Sequence, residues 1–109
     1  MKLFLCGPQI GDKLNIEVFR EAQENIRAFN IGEPVIPHDL FEGIDLDKQN
    51  IQDAFRIEVL ELITCNAIVM IGEWMKSERC TFFKRMAEFS GIPVKFYDKF
   101  IQEHSKQAE

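Results

Sequence analysis

The sequence predicts an α/β domain in which helices cover both faces of one parallel β-sheet. Short apolar segments alternate with amphipathic segments along the whole chain, which is the pattern of repeated β-α-β units. One apolar segment, 66–71, is almost free of polar residues, as is typical of a central strand covered on both faces. Right-handed crossovers between such strands give a three-layer, doubly wound parallel sheet, for which we predict the strand order 2-1-3-4.

The first half of the chain supplies two strands and one helix. Lys2–Cys6 is an apolar run and forms the first strand. Residues 15–29 carry apolar side chains every three or four positions, which predicts an amphipathic helix with Asn15 as its N-cap and Gly32 as its end. Residues 34–37 form the second strand, and their prolines place it at an edge of the sheet because proline has no amide to donate.

The second half supplies two more strands, two helices and a tail. A polar loop of about a dozen residues, 38–49, is longer than most connections and is a candidate functional loop. A helix follows from residue 49 or 50 to Thr64, then the strand 66–71 and the loop 72–76. Ser77 begins the third helix, which ends at Gly91, and 92–96 is the last strand. A polar helical tail starts at Asp98, so we divide the chain into a domain at 1–97 and a tail at 98–109.

Composition excludes several classes of partner. A formal net charge of −5 argues against a nucleic-acid polymer or a membrane surface as the main partner. Small anions remain compatible with it, because backbone amides at a helix N-terminus bind them without a basic surface. The three cysteines have no CxxC spacing, so we expect no disulfide framework, no metal site and no cofactor. Buried thiols and the lack of a signal peptide or membrane span favour a reducing cytoplasm.

The pattern places a ligand site at the carboxyl ends of the first and third strands. The strand order reverses between them, and open parallel sheets bind ligands at such a point. Gly7 allows a ligand to approach closely, and Pro8 fixes the turn that follows the strand. We expect Gly72 to lie beside Gly7 at this edge. Ser77 should cap the third helix nearby, where an anion can bind.

Short motifs in both halves carry a family resemblance. The first half contains Leu5-Cys6-Gly7-Pro8, then Asn15, Phe19 and Ala22, then Val35-Ile36-Pro37-His38. The second half contains Arg56, Leu60 and Ile63, then Trp74 and Ser77, then Ala87 and Gly91-Ile92-Pro93-Val94. Over residues 2–96 they resemble a small, often phage-encoded domain family related to nucleoside 2-deoxyribosyltransferases. The resemblance implies a Rossmann-like or flavodoxin-like fold and a nucleoside or nucleotide as the ligand.

The resemblance also implies where catalysis would lie. In that family a glutamate on the first turns of the helix after the third strand attacks the anomeric carbon of a deoxynucleoside or its monophosphate, and a preceding serine holds the 5′ end. Ser77 matches the serine, but Phe83 stands where the glutamate is expected and Asn66 where an aspartate is usual. A phenylalanine cannot trap or stabilise an oxocarbenium-like sugar. Glycosidic-bond chemistry is therefore expected to be impaired or lost.

The remaining candidates each have a functional and a structural interpretation. Glu73 and Glu78 are the nearest acids and are candidates for a displaced catalytic carboxylate, although loop glutamates are usually solvated. Trp74 fits stacking on a base or capping of the sheet. His38, before Asp39, fits acid-base work or a solvated loop. The expected ligand-binding set is Cys6, Gly7, Pro8, His38, Gly72, Trp74, Ser77 and Phe83.

Three functions remain open. We favour binding of a nucleoside or nucleotide-like ligand with impaired or lost catalysis. The alternatives are an active deoxynucleoside or deoxynucleotide N-glycosidase or 2-deoxyribosyltransferase with a displaced carboxylate, and an interaction module whose pocket Phe83 fills. The second helix also carries apolar residues on two faces, more than one sheet covers. We therefore expect a homodimer in which Phe55 and Leu60 pack near a two-fold axis.

Overall fold

The computed structural model describes residues 1–7, 9–10, 13–41 and 51–108. In chain order its elements are β1 (Lys2–Cys6), β2 (Gln9–Ile10), β3 (Lys13–Leu14), α1 (Ile16–Ala28), β4 (Glu33–Val35), α2 (Pro37–Leu40), α3 (Ile51–Thr64), β5 (Ala67–Met70), α4 (Glu78–Phe89), β6 (Val94–Phe96) and α5 (Tyr97–Ala108). The predicted loop at 38–49 is wrong at its start, because residues 38–40 belong to α2. Pro8 and the rest of that loop, 42–49, lie outside the described residues.

The main sheet has four parallel strands in the order β4-β1-β5-β6. This confirms the order 2-1-3-4 that was predicted for the four longer strands. β1 is central, and Phe4 pairs with Val35 of β4 on one side and with Ile68 of β5 on the other. β4, which contains Pro34, lies at an edge as its proline predicts.

Helices cover both faces of this sheet, which gives the predicted three layers. Alternate residues of β1 point to opposite faces, so Leu3 and Leu5 enter one core cluster and Phe4 and Cys6 enter the other. The first cluster packs against α1 and α5 through Phe19, Ala22, Ile26 and Phe100. The second packs against α3 and α4 through Leu62, Cys80, Phe83 and Ala87. All four residues of β5 are buried, as its apolar sequence predicts.

The ends of α1 lie where the prediction places them, but the predicted signals act differently. Asn15 occupies the N-cap position, but its side chain makes no capping hydrogen bond. The helix ends at Ala28, within the predicted range 15–29, and the chain turns at Asn30, which adopts a left-handed φ of 55°, rather than at Gly32. Gly32 instead lies against β1, where a Cβ would be 2.6 Å from the carbonyl oxygen of Met1.

Two short segments were not anticipated in their observed form. The second strand ends at Val35, and Pro37 begins α2, a position where the missing amide costs no helical hydrogen bond. β2 and β3 form an antiparallel pair between β1 and α1 in the chain.

At the other end of the chain the predicted polar tail is α5, and its Phe100 is buried in the core. Within the described residues, no helix combines the length and apolarity needed to cross a bilayer.

Gly7 lies where β1 leaves the sheet, and a side chain does not fit there. A Cβ on Gly7 would lie 2.4 Å from Cγ1 and 2.8 Å from Cδ1 of Ile71. We expect Gly7→Ala to lower the free energy of unfolding by about 1–3 kcal/mol, the usual cost of overpacking. Urea denaturation followed by the fluorescence of Trp74, the single tryptophan, measures this change.

The matched control places the same substitution in an Ile71→Ala background, which removes the two nearest atoms. There Gly7→Ala should cost clearly less. An equal cost in both backgrounds would contradict the steric explanation.

Candidate functional site

The candidate site lies at the carboxyl edge of β1 and β5. Cys6 pairs with Met70, and the amide of Ile71 donates to the carbonyl oxygen of Cys6 at 2.9 Å. Gly7 and Gly72 therefore leave the sheet at the same edge, which confirms their predicted placement. Gly72 has a φ of 57°, a conformation that glycine adopts at little cost.

The N-terminus of α4 lies at this edge. Ser77 caps the helix, since its Oγ accepts a hydrogen bond from the amide of Cys80 at 3.2 Å. The thiol of Cys80 donates in turn to the carbonyl oxygen of Gly7 at 3.0 Å. This contact, together with the cap, fixes the first turn of α4 against the end of β1.

A buried ion pair joins α4 to α3 beside this contact. The Nε of Arg79 donates to Oε2 of Glu58 at 3.1 Å, and its Nη2 donates to Oε1 of the same carboxylate. The two side chains are only 15% and 5% exposed. Burial raises the pKa of Glu58 despite the nearby guanidinium. Burial alone would lower the pKa of Arg79, but attraction to Glu58 outweighs this and raises it.

The sequence analysis did not assign Glu58 to the site. Its spacing from Phe55 and Leu62 places all three on one face of α3, and this was the available signal. No local pattern indicates the partner of Glu58, since Arg79 is on another helix. Arg56, which is closer in sequence, instead lies 4.0 Å from Asp53.

Phe83 faces the core. Its side chain has no exposed surface, and its ring centroid lies 5.5 Å from that of Phe4 and 5.2 Å from that of Phe55. The guanidinium of Arg79 lies 4.8 Å from the centroid of the same ring. We had placed Phe83 among the ligand-binding residues, but in the structure it presents no surface to a ligand.

The other predicted site residues divide by burial. Gly72 is exposed, while His38, Trp74 and Ser77 are half-buried. Cys6 and Gly7 are buried like Phe83. The carboxyl edge thus brings the two glycines and the start of α4 together, with Cys6 beneath them.

Trp74 and His38 both pack against other aromatic rings. The ring of Trp74 lies 5.7 Å from that of Phe96, which supports the interpretation that it covers the end of the sheet. The imidazole of His38 lies edge-on to Phe19 at 5.2 Å.

The carboxylate of Asp39 binds α1, accepting hydrogen bonds from Gln23 at 3.0 Å and Arg20 at 3.3 Å. Burial alone would raise the pKa of Asp39, but these partners lower it.

The two candidate catalytic acids lie on the surface. Glu73 is paired with Lys76, whose Nζ lies 3.1 Å from Oε1. Glu78 lines a shallow depression of about 340 Å³ on the outer side of α4, together with Thr81 and Arg85. Neither carboxylate belongs to the buried group around Phe83.

Among the residues that the structure describes, no group of three or more His, Cys, Asp or Glu side chains is placed to hold a metal ion.

One comparison with known proteins gives a match. Residues 1–96 match a family model described as Domain of unknown function (DUF4406). The matched segment ends at the last residue of β6 and contains every residue of the candidate site. No curated protein and no solved structure matches the chain.

Substitution of Phe83 tests its assignment to the core. Phe83→Glu removes a packed ring and buries a second carboxylate beside Arg79, whose charge Glu58 already neutralises. We expect the free energy of unfolding to fall by about 3 kcal/mol or more. Urea denaturation followed by circular dichroism measures this loss.

Phe89→Glu is the matched control, because Phe89 lies on the same helix and is 93% exposed. It should change the free energy of unfolding by no more than about 0.5 kcal/mol. If Phe83→Glu were as stable as Phe89→Glu, Phe83 would face a solvated pocket and its assignment to the core would fail.

Proposed function

Because the chain belongs to the DUF4406 family of unknown function, its activity has to be inferred from its site, and we propose that it binds a nucleoside or nucleotide-like ligand without cleaving the glycosidic bond. The proposal includes the relation to nucleoside 2-deoxyribosyltransferases that the motifs suggest. It involves no cofactor, no nucleic-acid polymer and no membrane, in keeping with the net charge of −5.

The carboxyl edge supports the binding half of this proposal. The strand order reverses at β1 and β5, and ligands of open parallel sheets bind outside the strand ends at such a reversal. Gly72 is exposed there and adds no side chain that would obstruct a ligand. The amide of Cys80 donates to Ser77, but those of Glu78 and Arg79 come before the first acceptor within the helix, so they are available to a phosphate or a sugar hydroxyl.

The burial of Phe83 carries the other half, the loss of catalysis. A nucleophile must reach the anomeric carbon from the site, but position 83 packs against Phe4 and Phe55. The nearest buried carboxylate, that of Glu58, already accepts two hydrogen bonds from Arg79. A carboxylate held in this way is neutralised and is a poor nucleophile.

Titration of ¹⁵N-labelled protein with deoxynucleosides and their 5′-monophosphates tests the binding site. We expect the amide resonances of Gly72, Glu78 and Cys80 to shift with ligand, because they lie at the carboxyl edge. Those of Asn66 and Gly91, which precede β5 and β6 at the opposite edge, should stay in place. A ligand at about 100 times its Kd should also raise the free energy of unfolding by about 2.7 kcal/mol.

Chromatography for free base on the same mixtures tests the loss of catalysis, and we expect none to be released. Release that Glu73→Gln or Glu78→Gln abolishes would contradict the proposal and identify a displaced nucleophile. Absence of any amide shift with every ligand would also contradict it and would favour the interaction module with a filled pocket.

We also propose a homodimer formed through the outer face of α3. Leu60 and Ile63 are 63% and 55% exposed on this face, and Ile57 lies one turn earlier. Phe55, which we expected at the same contact, packs instead on Phe82 and Phe83 of its own chain. A two-fold axis near Leu60 would bury the exposed face against its own copy.

The three thiols fit a reducing compartment, and we place the protein in the cytoplasm. Cys6, Cys65 and Cys80 are all buried and form no disulfide. Such thiols persist where glutathione and thioredoxin keep cysteines reduced.

Leu60→Glu tests the dimer. It places a carboxylate at the centre of the proposed contact, so we expect light scattering to show a dimer for the unmodified protein and a monomer for the variant at tens of micromolar, roughly the range in which a micromolar Kd gives dimer. Ile16→Glu is the matched control, since Ile16 is 46% exposed on α1 in the opposite layer. A monomer for the unmodified protein would contradict the dimer.

A further inference from the structure

Two thiols meet where β1 contacts the first turn of α4. Cys6 is the last residue of β1, and the Cys80 sulfur lies 3.0 Å from the carbonyl oxygen of Gly7, the next residue along the chain. Each thiol also shifts the pKa of the other. Both side chains are fully buried in the same cluster. The fold thus pairs two cysteines that are distant in sequence.

The surroundings make the two sulfurs unequal. The hydrogen bond from Cys6 is the main cause that lowers the pKa of Cys80 to about 7, and Ser77 and Arg79 lower it further. Burial raises the pKa of Cys6 well above its usual range. Cys80 is therefore the thiol of the pair that loses its proton more readily, in the first turn of a helix where the thiolate is favoured once it forms. Cys6 remains the thiol that holds a proton.

Cys65, the third cysteine of the chain, provides a comparison for the position and pKa of the other two. It lies near the amino edge of the sheet, just after α3, where its thiol donates to the carbonyl oxygen of Glu61 at 3.3 Å. Burial raises the pKa of Cys65 to about 11. It lies just before β5, whereas Cys6 is the last residue of β1 and Cys80 lies in the first turn of α4.

We propose that Cys6 and Cys80 are a redox pair that a small hydroperoxide converts reversibly to a disulfide. The Cys80 thiolate attacks the terminal peroxide oxygen, the O–O bond breaks, and the departing oxygen leaves as an alcohol or as water after taking up a proton. Cys80 is then a sulfenic acid. The Cys6 sulfur displaces its hydroxyl group, which leaves as water with the Cys6 proton. Two electrons have passed from the two thiols to the peroxide, and a dithiol reductant returns them.

Burial determines which oxidant this pair accepts. Fully buried sulfurs exclude a bulky disulfide reagent, whereas a hydroperoxide of a few atoms needs only a local opening of the first turn of α4. The bond would replace the Cys80–Gly7 contact by a covalent link between β1 and α4. Its formation does not depend on the proposed nucleotide ligand.

Treatment of the folded, full-length protein with hydrogen peroxide, followed by denaturation, alkylation and peptide mass mapping, tests the pair. We expect Cys6 and Cys80 to lose alkylation together, with one cross-linked peptide that contains both. Cys65 should still take the alkylating group. Dithiothreitol should restore alkylation of Cys6 and Cys80.

Cys65→Ser is the control variant and should keep the cross-link, while Cys6→Ser and Cys80→Ser should lose it. The map of the unmodified protein decides the result even where a variant folds poorly. Alkylation of both Cys6 and Cys80 after peroxide would overturn the proposal. A disulfide to Cys65, or Cys80 oxidised further while Cys6 remains reduced, would overturn it as well.

Discussion

The close approach of α4 to the end of β1 is the constraint on which the rest of the structure depends. Gly7 has no room for a side chain because Ile71 lies against it. Its carbonyl oxygen accepts a hydrogen bond from the thiol of Cys80. The end of β1 pairs with β5 through Leu5 and Cys6. The helix that touches this end is held there as well, and with it the cap at Ser77. The carboxyl edge is therefore held by side chains of α4 and of the loop between β5 and α4 that contact its backbone.

The ion pair of Glu58 and Arg79 is the feature that bears most directly on the proposed loss of catalysis. Two opposite charges lie beneath this edge and beside the ring of Phe83. Removing one partner of such a pair typically costs about 3–5 kcal/mol, whereas replacing both by apolar residues can be neutral. The pair therefore contributes little to the free energy of folding, and its main effect is to favour one packing of α3 against α4. Under that proposal, a phenylalanine and a neutralised glutamate take the space that a reacting carboxylate would need.

The sequence predicted most of the fold because local patterns carry that information. The apolar runs at Lys2–Cys6 and in β5 alternate with helices, which predicts parallel strands, and the proline of β4 places that strand at an edge. The burial of Glu58 was not predictable, since glutamate is seldom buried and its partner Arg79 lies on another helix. The proximity of Cys6 to Cys80 was not predictable for the same reason, because the two cysteines lie on different elements that only the folded structure brings together. The placement of Gly7 and Gly72 at one edge follows from the topology. The inward orientation of Phe83 depends on how α4 packs against the rest of the fold.

The central position of β1 has a consequence for synthesis on the ribosome. Its partner β4 begins at Glu33, but its other partner, β5, lies far downstream, as the Lys2–Asn66 hydrogen bond across 64 residues shows. At typical translation rates that stretch takes roughly 3 to 13 seconds to emerge. The nascent chain can assemble β1, α1 and β4 early, while one edge of β1 waits unpaired with its apolar residues uncovered. This interval is when the chain most needs a chaperone, and it ends only when β5 leaves the exit tunnel.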